Sequence, residues 1–285
     1  MNSNKFFSFS RFNLLLRNDI LLNYKKYLLT IAGAFILGFI VIYSNMPKYI
    51  QKDELHWVFG SQKYFQVFIM CLIGLEAFVG SSFSELSNKV KTSNYLLLPA
   101  STFEKYLSKF VIHVIAAIIL FLIIFWIDAH LARYVTINNI KDTNDSVLSY
   151  AEKEKFVQVF NYSMLLIRNT YPTITYWSWF EGLAIVFGIF SVGMYFFNVK
   201  LFFRKLGLIK TAISLIAVIY LGVITMTILS QLFYPETKWF DISKNMDYRM
   251  ENGLFNIEYW MYLSAYLVSL FLIPLGYFKL KEKEL

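Results

Sequence analysis

The sequence predicts an all-α polytopic membrane protein with six transmembrane helices and both termini on the cytoplasmic side. The chain is 57% hydrophobic and 16% charged, whereas soluble domains are about 45–50% apolar and about 25% charged. Apolar runs of about 18 residues or more recur along it, which is the length of a helical span. These runs lack the alternation of outer-membrane barrel strands, so we expect helices.

The chain, 1–285, is expected to form a single transmembrane domain. Each predicted span has about 18–25 residues, enough to cross a hydrocarbon core of about 30 Å at a helical rise of about 1.5 Å per residue. The expected bounds of the spans are 27–44, 64–83, 110–129, 179–199, 209–233 and 259–278.

The first 26 residues, 1–26, predict a separate cytoplasmic helix. Apolar side chains recur there at spacings of three and four, namely Phe9, Phe12, Leu16, Ile20 and Tyr24. This periodicity is typical of one face of an amphipathic helix. We expect the helix to lie in the membrane interface before the chain turns into the first span. An ordinary solvated helix is the alternative.

The distribution of charge predicts the topology. An even number of spans places both termini on one side, together with the segments 84–109 and 200–210. With the termini, these segments hold more Lys and Arg and fewer acids than the opposite loops, and the positive-inside rule assigns such segments to the cytoplasm. The net charge of +8 is therefore a topology signal, and we expect no nucleic-acid partner.

The longest loop on the opposite side is 130–178. We expect it to be a passive extracytoplasmic connection, with a recognition element as the alternative. Within it, the mostly apolar stretch 156–168 is too short to span, and positions at helical spacing that would form one face predict a short amphipathic helix there. These positions are Phe156, Val159, Phe160, Ser163 and Ile167.

The sequence contains no recognisable catalytic motif. G-x-x-x-x-G-K-[ST], G-x-S-x-G, H-E-x-x-H and C-x-x-C are all absent, so the chain has no P-loop for ATP. His56, His113 and His130 lack the spacing of metal ligands, and Cys71 is the single cysteine. We therefore expect no enzyme activity, no cofactor and no metal site.

Glu76 is the candidate intramembrane polar residue, because it lies near the middle of the second predicted span. A carboxylate that faces lipid there costs at least a few kcal/mol, so Glu76 must face helices, a water-filled cavity or a partner, or be protonated. The alternatives are a pathway or gating role and a packing hydrogen bond. Asp128 and Glu181 are expected to be solvated near the outer interface. Gly38 is one of the small residues that permit close helix contacts.

The segment 84–109 links two strongly apolar spans and is expected to lie in water, since it holds four Lys and two Glu. It also contains an apolar run from Tyr95 to Pro99, which favours contact with another protein. Directly afterwards, Ser101 and Glu104 have the spacing of a capping box, which predicts a helix running into the third span.

The stretch KTSNYLLLPASTFEKYL, from Lys91 to Leu107, resembles a conserved stretch of bacterial ABC-2-type permeases, the membrane subunits of ABC transporters. The six predicted spans, the N-terminal helix and the missing ATPase motif resemble the same family over nearly the whole chain. One departure is that the family often has short re-entrant helices before its last span, whereas 235–258 shows no clear apolar hairpin.

The resemblance implies a multi-pass permease in the lipid bilayer of the bacterial inner membrane, paired with itself or with a sister permease. It implies two separate cytoplasmic ATP-binding cassette subunits, whose closure moves the coupling segment 84–109 and opens an export path. The residues that would couple to this partner are Lys91, Tyr95, Leu97, Leu98, Pro99, Ser101, Glu104 and Lys105.

Our hypothesis from the sequence is that the apolar run ending at Pro99 inserts into the ATP-binding partner. Lys89, Lys91, Glu104 and Lys105 are expected at the rim of this contact. The alternative is a non-transport assembly or immunity factor that docks a cytoplasmic partner through the same segment. A membrane-embedded enzyme built around Glu76 is a further alternative.

Overall fold

The computed structural model is mainly helical. It describes residues 6–50, 60–87, 89–142, 153–154, 156–170, 173–176, 179–202 and 257–283, and scattered positions between 209 and 228.

Six helices are described from end to end. They are α1 (Phe9–Asn45), α2 (Ser61–Val79), α3 (Lys89–Leu96), α4 (Thr102–Asn139), α5 (Trp179–Phe202) and α6 (Ile257–Glu282). Within α4, Val111–Ala116 forms a π-helical turn. Two short 3₁₀ helices cover Ser84–Ser87 and Tyr162–Leu166.

Four short strands accompany these helices as two separate pairs. The parallel pair joins β1 (Tyr49–Ile50) to β2 (Lys141–Asp142). The antiparallel pair joins β3 (Ile167–Thr170) to β4 (Thr173–Tyr176).

The chain divides into two compact units. The first unit contains Met1–Val79 and Leu107–Ser178, and the second contains Gly80–Tyr106 and Trp179–Leu285. Helix α4 begins in the second unit and passes into the first after Tyr106.

Three of the described helices are long and apolar enough to cross a membrane, namely α1, α2 and Thr102–Asn139. This finding agrees with a membrane protein. Helices α5 and α6 cover the predicted fourth and sixth spans. The predicted fifth span, 209–233, lies mostly outside the described residues. The number of spans and their orientation stay predictions.

The prediction that a separate N-terminal helix precedes the first span was wrong. Helix α1 runs without interruption from Phe9 to Asn45. No Pro or Gly occurs between residues 9 and 32, so nothing in the sequence ends the helix where the chain was expected to turn.

The predicted ends of the second and third spans also shift. Helix α2 ends at Val79 rather than at residue 83, because Gly80, Ser81 and Ser82 are poor helix formers. Helix α4 continues to Asn139, so the first ten residues of the predicted loop 130–178 are helical. Helix-forming residues such as Leu131 and Ala132 give no stop signal there.

The predicted amphipathic helix over 156–168 was wrong. Tyr162–Leu166 is 3₁₀ and Ile167–Thr170 is a strand. The amide of Ser163 donates to Oδ1 of Asn161 (3.3 Å), and the amide of Met164 donates to the Asn161 carbonyl (2.9 Å). Such local bonds from an asparagine compete with a regular helix.

Aromatic side chains form the core of each unit. In the first unit, the ring of Phe125 packs 5.0 Å from Phe68 and 5.1 Å from Phe160. In the second unit, the ring of Phe197 lies 5.1 Å from Phe83 and 5.4 Å from Tyr106. These edge-on and tilted pairs are the favoured aromatic geometries, and they hold segments that are distant in sequence.

Candidate functional site

The coupling segment 84–109 folds into short helical pieces. A 3₁₀ turn is followed by α3, a non-helical turn over 97–101 and the start of α4. The hydroxyl of Thr92 donates to the carbonyl of Glu85 (3.4 Å), which ties α3 to the preceding turn. The segment is therefore ordered around its apolar run.

The predicted capping box at Ser101 and Glu104 is confirmed. The amide of Ser101 donates to Oε2 of Glu104 (2.8 Å), and the amide of Glu104 donates to Oγ of Ser101 (3.2 Å). Each side chain satisfies an amide that the first helical turn leaves without a partner. This reciprocal pair sets the start of α4 at Thr102.

Two further hydrogen bonds close the turn between α3 and α4. The ammonium of Lys105 donates to the carbonyl of Leu96 (2.7 Å), and the hydroxyl of Tyr95 donates to the carbonyl of Lys105 (3.3 Å). The lysine bond is charge-assisted, which makes it the stronger of the two. Together they fix the path of the chain through Leu97, Leu98 and Pro99.

The structure separates the predicted coupling residues into buried and exposed groups. Leu97 is 77% exposed and Pro99 is also exposed, while Leu98 and Ser101 are half-buried. Tyr95 is buried. The side chains of Lys89 and Lys91 lie outside the described residues.

The expectation that Glu104 and Lys105 lie at an exposed rim was wrong. They are 0% and 2% exposed, because the capping box and the Leu96 carbonyl draw both charged groups inward. Their geometry supports a structural role: they hold the turn that presents Leu97.

A buried polar cluster in the second unit was not predicted. The amide nitrogen of Asn198 on α5 donates to the carbonyl of Leu272 on α6 (2.8 Å). The hydroxyl of Tyr106 donates to the carbonyl of Ile273 (3.0 Å) and lies 3.4 Å from Oδ1 of Asn198. The two carbonyls belong to the residues before Pro274, which lies inside α6 and marks in the sequence a place where the helix is disturbed.

Gly276 makes this cluster possible. A Cβ atom at this position would clash with Oδ1 of Asn198 and would lie 2.7 Å from the hydroxyl of Tyr106. The absence of a side chain therefore lets α4, α5 and α6 share hydrogen bonds in the interior of the unit.

A second polar cluster in the first unit centres on Asp19. Its carboxylate accepts hydrogen bonds from the ammonium of Lys109 (3.0 Å), the amide of Asn23 (2.9 Å) and the hydroxyl of Tyr27 (3.1 Å). Beside it, the ring of His113 stacks on Phe78 at 5.4 Å. His113 belongs to the π-helical turn of α4, a distortion that is frequent at functional sites.

Glu76 and Asp128, two acids that lie in predicted spans, are both buried. Glu76 is 9% exposed, and its Oε2 has no hydrogen-bond partner among the described residues. The prediction that Asp128 is solvated was wrong, since it is 0% exposed. The position of Asp128 in the sequence, near the end of a predicted span, does not reveal which face of the helix the residue occupies. The side chain of Glu181 lies outside the described residues.

In the part of the chain that the structure describes, no group of three His, Cys, Asp or Glu side chains could hold a metal ion. No protein-family model, curated protein or solved structure matches the chain.

Proposed function

We propose that the chain is the membrane-spanning permease subunit of an ATP-driven ABC-2-type exporter. It pairs with itself or with a sister permease in the bacterial inner membrane, and it has six spans with cytoplasmic termini. Its segment 84–109 couples to a separate cytoplasmic ATP-binding subunit. The proposal is supported by three long apolar helices and by the resemblance of the stretch from Lys91 to Leu107.

The observation that carries the proposal is that Leu97 is exposed on an ordered turn. A side chain 77% exposed stands on a turn that is closed by the buried ammonium of Lys105 and the hydroxyl of Tyr95. Holding an apolar side chain in one position before binding lowers the entropy cost of association. A partner pocket that accepts Leu97 would gain about 1.5–3 kcal/mol from its burial.

The direct continuation of this turn into α4 supports a coupling role. The capping box starts α4 at Thr102, and the helix then continues to Asn139. A displacement of the turn is therefore carried by a continuous backbone into one of the three helices that could span a membrane.

The test is affinity purification of the tagged full-length chain from its native membrane in mild detergent. Co-purified ATP-binding protein is detected with an azido-ATP photolabel. We expect Leu97→Asp to remove the labelled partner, because a charge cannot enter an apolar pocket without a large desolvation cost. Leu97→Ala should weaken the association less.

The matched control is Tyr134→Asp, which adds the same charge at a side chain that is 63% exposed, near the other end of α4. It should leave the labelled partner bound. Equal labelling in wild type and Leu97→Asp would overturn the coupling role. A partner that depends on Leu97 but binds no ATP would favour the docking of a non-transport membrane factor.

A further inference from the structure

The carboxyl group of Asp128 is enclosed where α4 packs against α1. It is 0% exposed, and neither oxygen has a hydrogen-bond partner among the described residues. A Cβ atom placed on Gly38 would lie 2.5 Å from Oδ2 of Asp128. The carboxyl group therefore lies directly against the backbone of α1.

Among the described residues of α1 and α2, no positive charge is placed to neutralise this carboxyl group. Helix α1 has no charged residue after Lys26. From α2, the thiol of Cys71 is within electrostatic range of Asp128, and Glu76 is itself an acid. The basic residue of α2, Lys63, is exposed, and neither oxygen of Asp128 has a described hydrogen-bond partner.

On α4 itself, the guanidinium group of Arg133 is engaged elsewhere. Nε of Arg133 donates to the carbonyl of Val157 (3.0 Å), and Nη2 lies 3.7 Å from Oε1 of Glu154. The ring of His130 packs 4.4 Å from that of Trp126. The described surroundings of Asp128 thus supply neither a counter-charge nor a hydrogen-bond donor.

An ionised carboxylate in such a site costs several kcal/mol. A metal ion would need several ligands, and among the described residues no group of three His, Cys, Asp or Glu side chains could hold one. A proton removes the charge without opening the contact between the helices.

We propose that Asp128 is a proton-binding site in the contact between α1 and α4. The carboxyl group holds its proton while Gly38 packs against it, and it exchanges that proton when the two helices separate. By linkage, conditions that separate the helices favour proton release, and loss of the proton favours separation. This inference does not depend on an ATP-binding partner.

The first test is infrared spectroscopy of the full-length chain in lipid nanodiscs at neutral pH. We expect the neutral-carboxyl C=O band of the wild type to lose one component in Asp128→Asn, an isosteric change. Glu154→Gln is the control, because its side chain is 44% exposed and faces Arg133; it should remove an ionised-carboxylate component instead. If Asp128→Asn instead removed a component of the ionised-carboxylate infrared band, the proposal would be overturned.

The second test measures how fast the C=O band of the Asp128 carboxyl group shifts after the protein is transferred into D₂O, which reports the exchange of its proton for deuterium. The variant is Gly38→Ala. The added methyl group displaces the carboxyl group, so exchange should accelerate at least about tenfold, which corresponds to about 1.4 kcal/mol of lost contact energy. Gly74→Ala is the control, because a Cβ atom there meets nothing within 4 Å. Equal exchange rates in wild type and Gly38→Ala would contradict the role of the helix contact.

Discussion

The ammonium of Lys109 lies 3.0 Å from Oδ1 of Asp19, and the two side chains are only 4% and 15% exposed. The residues are 90 positions apart in the chain. Their ion pair fastens the N-terminal half of α1 to α4 within the first unit. The N-terminal segment is thus held by a specific polar contact as well as by its apolar residues.

We expect Asp19→Asn to destabilise the protein by about 3–5 kcal/mol, because it removes the counter-charge of a buried ammonium. Lys109→Met should also destabilise, and the double variant should lose less than the sum of the two. Thermal unfolding in detergent measures these differences. Lys279→Met is the control, since its partner Glu282 is 61% exposed and such pairs contribute less than about 1 kcal/mol. If the stability losses of the two single variants add up to the loss of the double variant, the two side chains are not coupled.

Ser101→Ala should lower the stability of the first turn of α4 by about 1 kcal/mol, the usual cost of losing an N-cap side chain. The amide of Glu104 would lose its acceptor, so its hydrogen exchange should become faster. Ser93→Ala, at an exposed position of α3, should leave that amide unchanged. Unchanged exchange in Ser101→Ala would show that the capping box does not hold the turn.

Gly276→Ala should destabilise the protein by about 1–3 kcal/mol, the usual cost of overpacking. The new methyl group would displace Asn198 and Tyr106 from the carbonyls beside Pro274. Adding Asn198→Ala should recover part of this loss, because it vacates the space that the methyl group needs. Gly74→Ala should be neutral or slightly stabilising, since it lies in an open helical position. Thermal unfolding of the three variants and the wild type tests this; equal effects of the two glycine changes would refute the packing argument.

Burial raises the pKa of Tyr162 to about 12, and its hydroxyl donates to the carbonyl of Leu122. Unfolded tyrosine ionises near about pH 10, so the folded chain keeps a proton that the unfolded chain loses. Its stabilising contribution is therefore complete below about pH 10 and is lost as the pH rises toward about 12.

The measurement is the fall in unfolding temperature between about pH 9 and about pH 11, where the contribution of Tyr162 begins to be lost. Tyr162→Phe should reduce this fall relative to the wild type. Tyr49→Phe is the control at a side chain that is 63% exposed, and it should not change the slope. Parallel slopes for wild type and Tyr162→Phe would exclude the proposed linkage.

Contacts between near neighbours in the chain could be predicted, whereas contacts between helices could not. The capping box needs residues three positions apart, so Ser101 and Glu104 specified it by spacing. The burial of Lys105 depends on the path of the whole turn, and spacing does not report it. The burial of Asp128 depends on which side of α4 meets Gly38, and a uniformly apolar helix gives no periodicity from which to infer that side.

The sequence by itself determined that the chain is helical and apolar enough for a membrane, and it located the start of α4. These properties follow from composition and from bonds within one helical turn. The tertiary structure alone decided the pairing of Asp19 with Lys109, the meeting of Asn198 with α6 and the enclosure of Asp128. Each of these depends on which distant segments pack together, because spacing along the chain does not determine which groups a neighbouring helix places opposite a polar side chain.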